Sequence, residues 1–262
     1  MTDRSLAPSR SDLVAHLVAA RICGDVATSR QSNLTNARLC AQGHPGFTFG
    51  VRFSRPWAYE EVVAELAKRV GVSADLAYGS GQDRIDPQLC ADRLEAMGER
   101  LGSAARRRER VLLATGHPTG LLAIHLEVAA ALRAAGARLL APAPGWSYRS
   151  RDQVRHIRHV GGVAMLSDGA GLLHTHDPQP MRGMLAALAA AGEPPPDLVL
   201  ADHGYAGAAG QAGIDTLGFA DCNDPALFLA EAEGTVRVTV PLDDNVQPHL
   251  YGPVSSYLLS SL

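Results

Sequence analysis

The chain has 262 residues, 46% of them apolar and 19% charged, with a formal net charge of −3. That length can bury a sizeable core as one large domain, or as one domain with a smaller cap. The charge argues against a nucleic-acid footprint but leaves room for a small anion held by local Arg residues. The four cysteines (Cys23, Cys40, Cys90, Cys222) show no C-x-x-C spacing, which excludes a zinc ribbon or a thioredoxin site. The polar N-terminus has no signal core, and no apolar run reaches the roughly 18 residues of a membrane span, so the sequence reads as cytoplasmic.

Ser11 and Asp12 can cap a helix reaching Cys23, with Leu13, Leu17 and Val18 as its apolar stripe. Gly24 to Asn33 reads as too polar for core, and 41–57 as loop with at most one short strand. A helix is predicted at 58–70, a glycine-broken segment at 78–87 and a second helix at 87–108. Val111–Ala114 is a short, wholly apolar run, as a buried parallel strand should be. A helix at 121–135 and a strand at 137–140 follow. Residues 142–159 read as a basic loop or lid, and 163–166 with 172–174 as a hairpin around Ser167-Asp168-Gly169. Strands at 198–201, 214–219 and 236–240 alternate with helices at 180–192, 204–212 and 225–232 and a C-terminal helix to 261.

Such alternation implies right-handed βαβ units. The fold class expected is α/β, with a mostly parallel Rossmann-like sheet covered by helices on both faces. The N-terminal helical portion spans 1–108 and the α/β portion 109–262.

In an open α/β sheet, ligands bind outside the carboxyl ends of the strands. Five predicted strand ends carry Asp, His or Asn: His117; His174, His176 and Asp177; Asp202 and His203; Asp221, Asn223 and Asp224; Asp243, Asp244 and Asn245. Gly116-His117-Pro118-Thr119-Gly120 can present backbone N–H groups and a helix start to an anion, or be only a tight turn with Pro near the helix start. Its spacing is not that of a P-loop. Asp202, Asp221 and Asn223 are oxygen donors suited to Mg²⁺. His174, His176 and His203 favour Zn, Mn or Fe instead. Asp224, before Pro225, also fits a plain helix cap. Gly204, Gly207 and Gly210 lack the dinucleotide fingerprint and suit close packing of a helix on the sheet.

Several segments together resemble an actinobacterial family generally labelled "phosphatase". They are Arg21–Thr28, Gly81–Asp86, Ala114–Pro118, His174-Thr175-His176, Ala201–Gly204 and Ala220–Leu227. The resemblance spans nearly the whole chain and implies phosphomonoester hydrolysis. The Arg-rich stretch Trp146–His159 departs from the family's more acidic and apolar equivalent. A weaker likeness is to metal-dependent phosphatases that join a helical and a Rossmann-like portion and bind the ion through Asp and Asn.

The favoured expectation is a metal-dependent phosphatase acting on a small phosphorylated metabolite, a sugar phosphate or nucleotide. Asp202, Asp221 and Asn223, with His174 and His176, would hold a divalent metal, Mg²⁺ first and Mn²⁺ or Zn²⁺ as alternatives. Gly116, Thr119, Gly120 and one of Arg21, Arg30 or Arg84 would bind the phosphate. His117 or His203 would act as acid, and Asp202 would share in catalysis. Two rival readings are a metal-dependent lyase or isomerase of a sugar phosphate, with His117 as base, and a non-catalytic binding module for a phosphorylated ligand. The only partner expected besides the substrate is a second copy in a homodimer, with no nucleic acid and no membrane.

Overall fold

The computed structural model describes residues 7–150 and 153–262. Among these, α1 (Arg10–Ala19), α2 (Arg30–Ala41), α3 (Pro45–Thr48), α4 (Tyr59–Val70) and α5 (Pro87–Arg107) precede the main sheet. They enclose a two-stranded antiparallel ribbon of β1 (Gly24–Ser29) and β2 (Gln82–Ile85).

Both strands lie in segments expected to be irregular. Their apolar signal is thin because only Val26 and Ile85 bring large apolar side chains inward, and Asp83 is buried beside them. The helix α2 also lies outside the helices expected from the sequence. Its buried stripe runs Arg30, Asn33, Ala37, Cys40, a helical spacing in which the first two members are polar. Arg30 explains the anomaly. Its guanidinium meets Asp83 at 2.9 Å and donates to the carbonyls of Tyr78 and Asp75, while Asn33 donates to the same Asp83 oxygen.

The second part is a nine-stranded mixed sheet. Its strands are β3 (Arg110–Ala114), β4 (Arg138–Leu139), β5 (Ser147–Ser150), β6 (Gln153–Val160), β7 (Val163–Ser167), β8 (Leu172–Leu173), β9 (Leu198–Asp202), β10 (Thr216–Ala220) and β11 (Val238–Pro241). The order is β11-β10-β9-β3-β7-β6-β5, with β4 beside β3 and β8 beside β7. The pairs from β11 to β7 are parallel; β5, β6 and β8 join antiparallel.

The hairpin β5–β6 replaces the loop expected over 142–159. Of its described residues only Ile157 is buried, so it extends the sheet edge without the apolar pattern that marks a strand. The 163–174 hairpin forms as expected, as β7 and β8.

The helices α6 (Pro118–Ala134), α7 (Gln179–Ala190), α8 (His203–Gln211), α9 (Pro225–Ala232) and α10 (Gly252–Leu259) connect or follow these strands. One buried apolar cluster runs from Leu13 and Leu17 through Leu94 and Leu112 to Leu258. No helix among the described residues is long and apolar enough to cross a membrane.

Candidate functional site

The parallel strands β3, β9, β10 and β11 end on the same edge, and each hands a polar side chain to one buried cluster. The segment after β8 joins them there, because the Thr175 amide donates to the Gly116 carbonyl at 2.8 Å. All five expected strand ends therefore meet.

His203 is the centre. It follows β9 directly and has a left-handed backbone, φ 46, a conformation that costs a non-glycine residue about 1–3 kcal/mol and that clusters at functional sites. Around its buried ring stand His176 (4.7 Å between centroids), His174 (5.1 Å) and His117 (5.8 Å). His117 stacks on His174 at 4.4 Å. The Nε2 atoms of His174 and His176 face each other at 3.1 Å.

Carboxylates complete the cluster. Asp202 Oδ1 accepts from His203 Nδ1 at 2.8 Å and from the Gly116 amide at 2.6 Å. On the other side, His203 Nε2 lies 3.3 Å from Asp224 Oδ2 and 3.5 Å from Asp244 Oδ2. His117 Nδ1 lies 3.0 Å from Asp244 Oδ1. Asp221, Asp243 and Asp244 each place an oxygen within 4.8 Å of the others. Asp221 also accepts from Thr28 Oγ1 at 2.6 Å, and Asp243 from the Ala27 amide, so the β1 ribbon closes the acidic side.

These neighbours set the protonation states. Burial alone would push His203 down, but Asp224 and Asp202 outweigh it and hold its pKa well above the usual value. Burial would push Asp202 and Asp224 up, yet His203 keeps both below the ordinary carboxylate range. Burial also opposes the charged form of His117, and Asp244 overcomes it, raising the pKa. For His174 the pull of Asp244 is outweighed; burial and then its three histidine neighbours bring it down to about 4. Asp221 is driven well up by burial and by the charges of Asp244 and Asp243.

The donor set fits a divalent ion. Two groups of ligand atoms share His203: His117, His174 and His203, and His176, His203 and Asp224. Asp244 Oδ2 is buried and has no hydrogen-bond donor, a cost that a cation would relieve. Asp221, Asp243 and Asp244 form an all-oxygen group against this nitrogen-rich one.

The expected site residues sort themselves. His174 and His176 sit among the ligand atoms, as does Asp221, whereas Asp202 faces His203 and positions its ring. Asn223 is half-buried, and its backbone carbonyl accepts from Asn36 Nδ2. Asp224 starts α9 but makes no side-chain cap, because it turns to His203. Asp243 and Asp244 stand at an expected strand end without an assigned role, and Thr28 enters only through the family-like segment Arg21–Thr28.

The glycine turn works differently from an anion cradle. The Gly116 amide is consumed by Asp202 and the His117 amide by Thr115 Oγ1. A Cβ at Gly116 would lie 2.4 Å from the Thr175 carbonyl oxygen, and one at Gly120 would lie 1.8 Å from that of Asp244. Both glycines thus permit backbone contacts that bring strand ends together. Thr119 is exposed in the first turn of α6. Likewise Gly204 packs on the backbone of His176 and Asp177, Gly207 on Phe49 and Gly210 on Thr235, so these glycines face loops, while α8 itself packs against β9 and β10 of the sheet as expected.

Of the three arginines, Arg30 is spent on Asp83 and cannot meet a phosphate. Arg21 donates to the Asp25 carbonyl, and Arg84 stands on the exposed side of the ribbon in register with Asp25. No hydrogen bond or ion pair joins either to the histidine–carboxylate cluster.

A family model described as "Phosphatase" matches residues 8–262. The chain is 49% identical over 255 residues to "Phosphatase SCO2771" of Streptomyces coelicolor, covering 97% of this chain and 96% of that protein. The motifs that converge on His203 are thus carried by a chain that belongs to the Phosphatase family.

Proposed function

We propose that the protein is a metal-dependent phosphomonoesterase acting on a small phosphorylated metabolite, with the cluster around His203 as its active site. The observation that carries this reading is the shared use of His203 by two groups of candidate ligand atoms, in which four histidines from three separate strand ends meet Asp224. The family's name and that of its Streptomyces relative support phosphate-ester chemistry.

In this reading His176, His203 and Asp224, with His174, would hold the ion. This nitrogen-rich set favours Zn²⁺ or Mn²⁺ over the Mg²⁺ expected from the aspartates alone. Bound there, such an ion would supply Lewis-acid chemistry to the phosphoryl group.

The chain's own groups then divide the remaining work. Asp202 fixes the ring of His203 through Nδ1, and the Gly116 amide fixes Asp202 in turn. His117, whose proton Asp244 stabilises, is the proton donor to the leaving oxygen. His174, the exposed member, and half-buried His176 form the mouth through which an ester would enter.

The test is elemental analysis of the purified protein with a phosphate-release screen over sugar phosphates and nucleotides, before and after chelation. Bound metal, and release that chelation abolishes and Zn²⁺ or Mn²⁺ restores, is the expected result. Undiminished release in the metal-free protein would overturn the metal dependence. Absence of release from every ester would overturn the phosphatase reading.

A further inference from the structure

A cleft of about 470 Å³ opens beside the histidines, with His174 and His176 in its wall. Its other walls come from the β5–β6 hairpin, through Tyr148 and Arg155, and from Leu166 and Leu173 between the two. Among the described residues lining it, Arg155 is the one Lys or Arg side chain. Arg155 is half-buried and has neither a hydrogen bond nor an ion pair to a described residue. Its charge is felt by Tyr148 and by exposed Asp168.

The register places this arginine away from the cluster. Arg155 lies on β6, which pairs with β7, which pairs with β8; His174 follows β8 directly. Ile157, Leu166 and Leu173 stand side by side across the three strands. Two inter-strand steps are about 10 Å, and Arg155 is displaced further along the strand, opposite the 167–168 turn. The cleft therefore has histidines at one end, leucines in the middle and a guanidinium at the other. No hydrogen bond or ion pair ties Arg155 to the histidine–carboxylate cluster, so a phosphate held close against the histidines leaves the guanidinium available to a second anion.

We propose that Arg155 is a specificity residue that binds a second anionic group of the substrate, so that the preferred class is a phosphate monoester bearing a remote phosphate or carboxylate. Tyr148 braces this wall, because its hydroxyl donates to Asp177 Oδ2 at 2.6 Å, one residue beyond His176. The guanidinium fork suits either oxyanion. The assignment rests on the phosphomonoesterase reading for its kinetic consequence but not for binding.

The experiment compares hexyl phosphate with hexane-1,6-diyl bisphosphate on the metal-loaded wild type and on Arg155→Ala and Arg155→Lys. The wild type should favour the bisphosphate in kcat/KM, and Arg155→Ala should cut that preference about tenfold, the scale of one charged hydrogen bond. Arg155→Lys should keep part of it. Equal losses on both esters, which leave the ratio unchanged, would overturn the proposal and move Arg155 to the transferred phosphoryl group. An unchanged ratio with no loss would return it to the status of a solvated side chain. If the wild type releases no phosphate at all, the phosphatase reading fails alone, and calorimetric titration with the bisphosphate decides Arg155. Binding weakened about tenfold in Arg155→Ala upholds the assignment, and equal or absent binding ends it.

Discussion

His203 and Asp202 are neighbours in sequence and hydrogen-bonded to each other, Nδ1 to Oδ1 at 2.8 Å, across the junction from β9 to α8. The left-handed backbone of His203 is what lets adjacent side chains meet in this way. Asp202 thereby fixes which ring nitrogen faces the other ligand atoms. Asp202→Asn keeps the shape and removes the charge. Metal affinity should fall about 10- to 100-fold, as for other carboxylates that orient a ligand histidine, while the circular-dichroism spectrum stays native. Unaltered affinity by calorimetry would show that Asp202 does not position the site.

Metal binding should strengthen as pH rises. The raised pKa of His203 means the metal-free protein holds a proton there at neutral pH, and an ion must displace it. One displaced proton gives about a tenfold gain in affinity per pH unit until the folded pKa is passed. The contribution of His203 to the stability of the metal-free protein should move the other way. A histidine with a raised pKa contributes stability that is complete below its unfolded value near 6.5 and is lost as pH climbs through the folded one. Asp221 and Asp243 act in the same direction, because their raised values favour the protonated, folded form at lower pH. Asp202 and Asp224 have depressed values, and their contribution disappears only in strong acid. Between pH 6 and pH 8 the lowered values of His125, His159, His174 and His176 oppose this trend, so the contribution of His203 is read against a variant: chelated wild type should lose more Tm from pH 6 to pH 8 than chelated His203→Asn. An equal change in the two proteins would contradict this charge arrangement.

The strand ends were legible because a general rule of open α/β sheets says where to look, and β3, β9 and β10 carry the apolar runs that reveal them. What each residue does there was not legible. Asp202 and Asp221 look alike in sequence, yet one positions a histidine and the other faces two carboxylates. Asp224 before Pro225 has the signature of a helix cap, and only the left-handed turn at His203 diverts it. The β1 ribbon and α2 were missed because their inward-facing groups include Arg30, Asn33 and Asp83, whose burial depends on partners about fifty positions away. The β5–β6 hairpin was missed because a polar sheet edge has no periodicity to read; Arg151, expected in a lid there, lies outside the described residues.

Gly120 offers a test of the packing role. A Cβ there would overlap the Asp244 carbonyl oxygen, which belongs to backbone and has little freedom to yield. Gly120→Ala should destabilise the protein by about 1–3 kcal/mol, the usual range for overpacking. It should also weaken metal binding, because Asp244 faces both His117 and His203. A variant with wild-type Tm but weakened phosphate binding would restore the anion-cradle expectation for this turn.

The Arg30–Asp83 pair separates a structural arginine from a catalytic one. Both side chains are almost fully buried, and the pair ties α2 to β2, with Asn33 as a second donor to Asp83. Removing one partner strands a charge in the interior, whereas replacing both with apolar groups of similar size removes the desolvation cost along with the attraction. Asp83→Ala should therefore cost about 3–5 kcal/mol in urea denaturation. The double replacement Arg30→Met with Asp83→Leu should recover much of that loss. The Arg30 guanidinium also holds the carbonyls of Tyr78 and Asp75, so recovery should stop short of the wild type by about one hydrogen bond each. Below the unfolding transition, the double variant should retain its metal affinity and its KM for any ester the wild type hydrolyses. A large rise in KM with stability intact would instead return Arg30 to the phosphate-binding role that the sequence suggested.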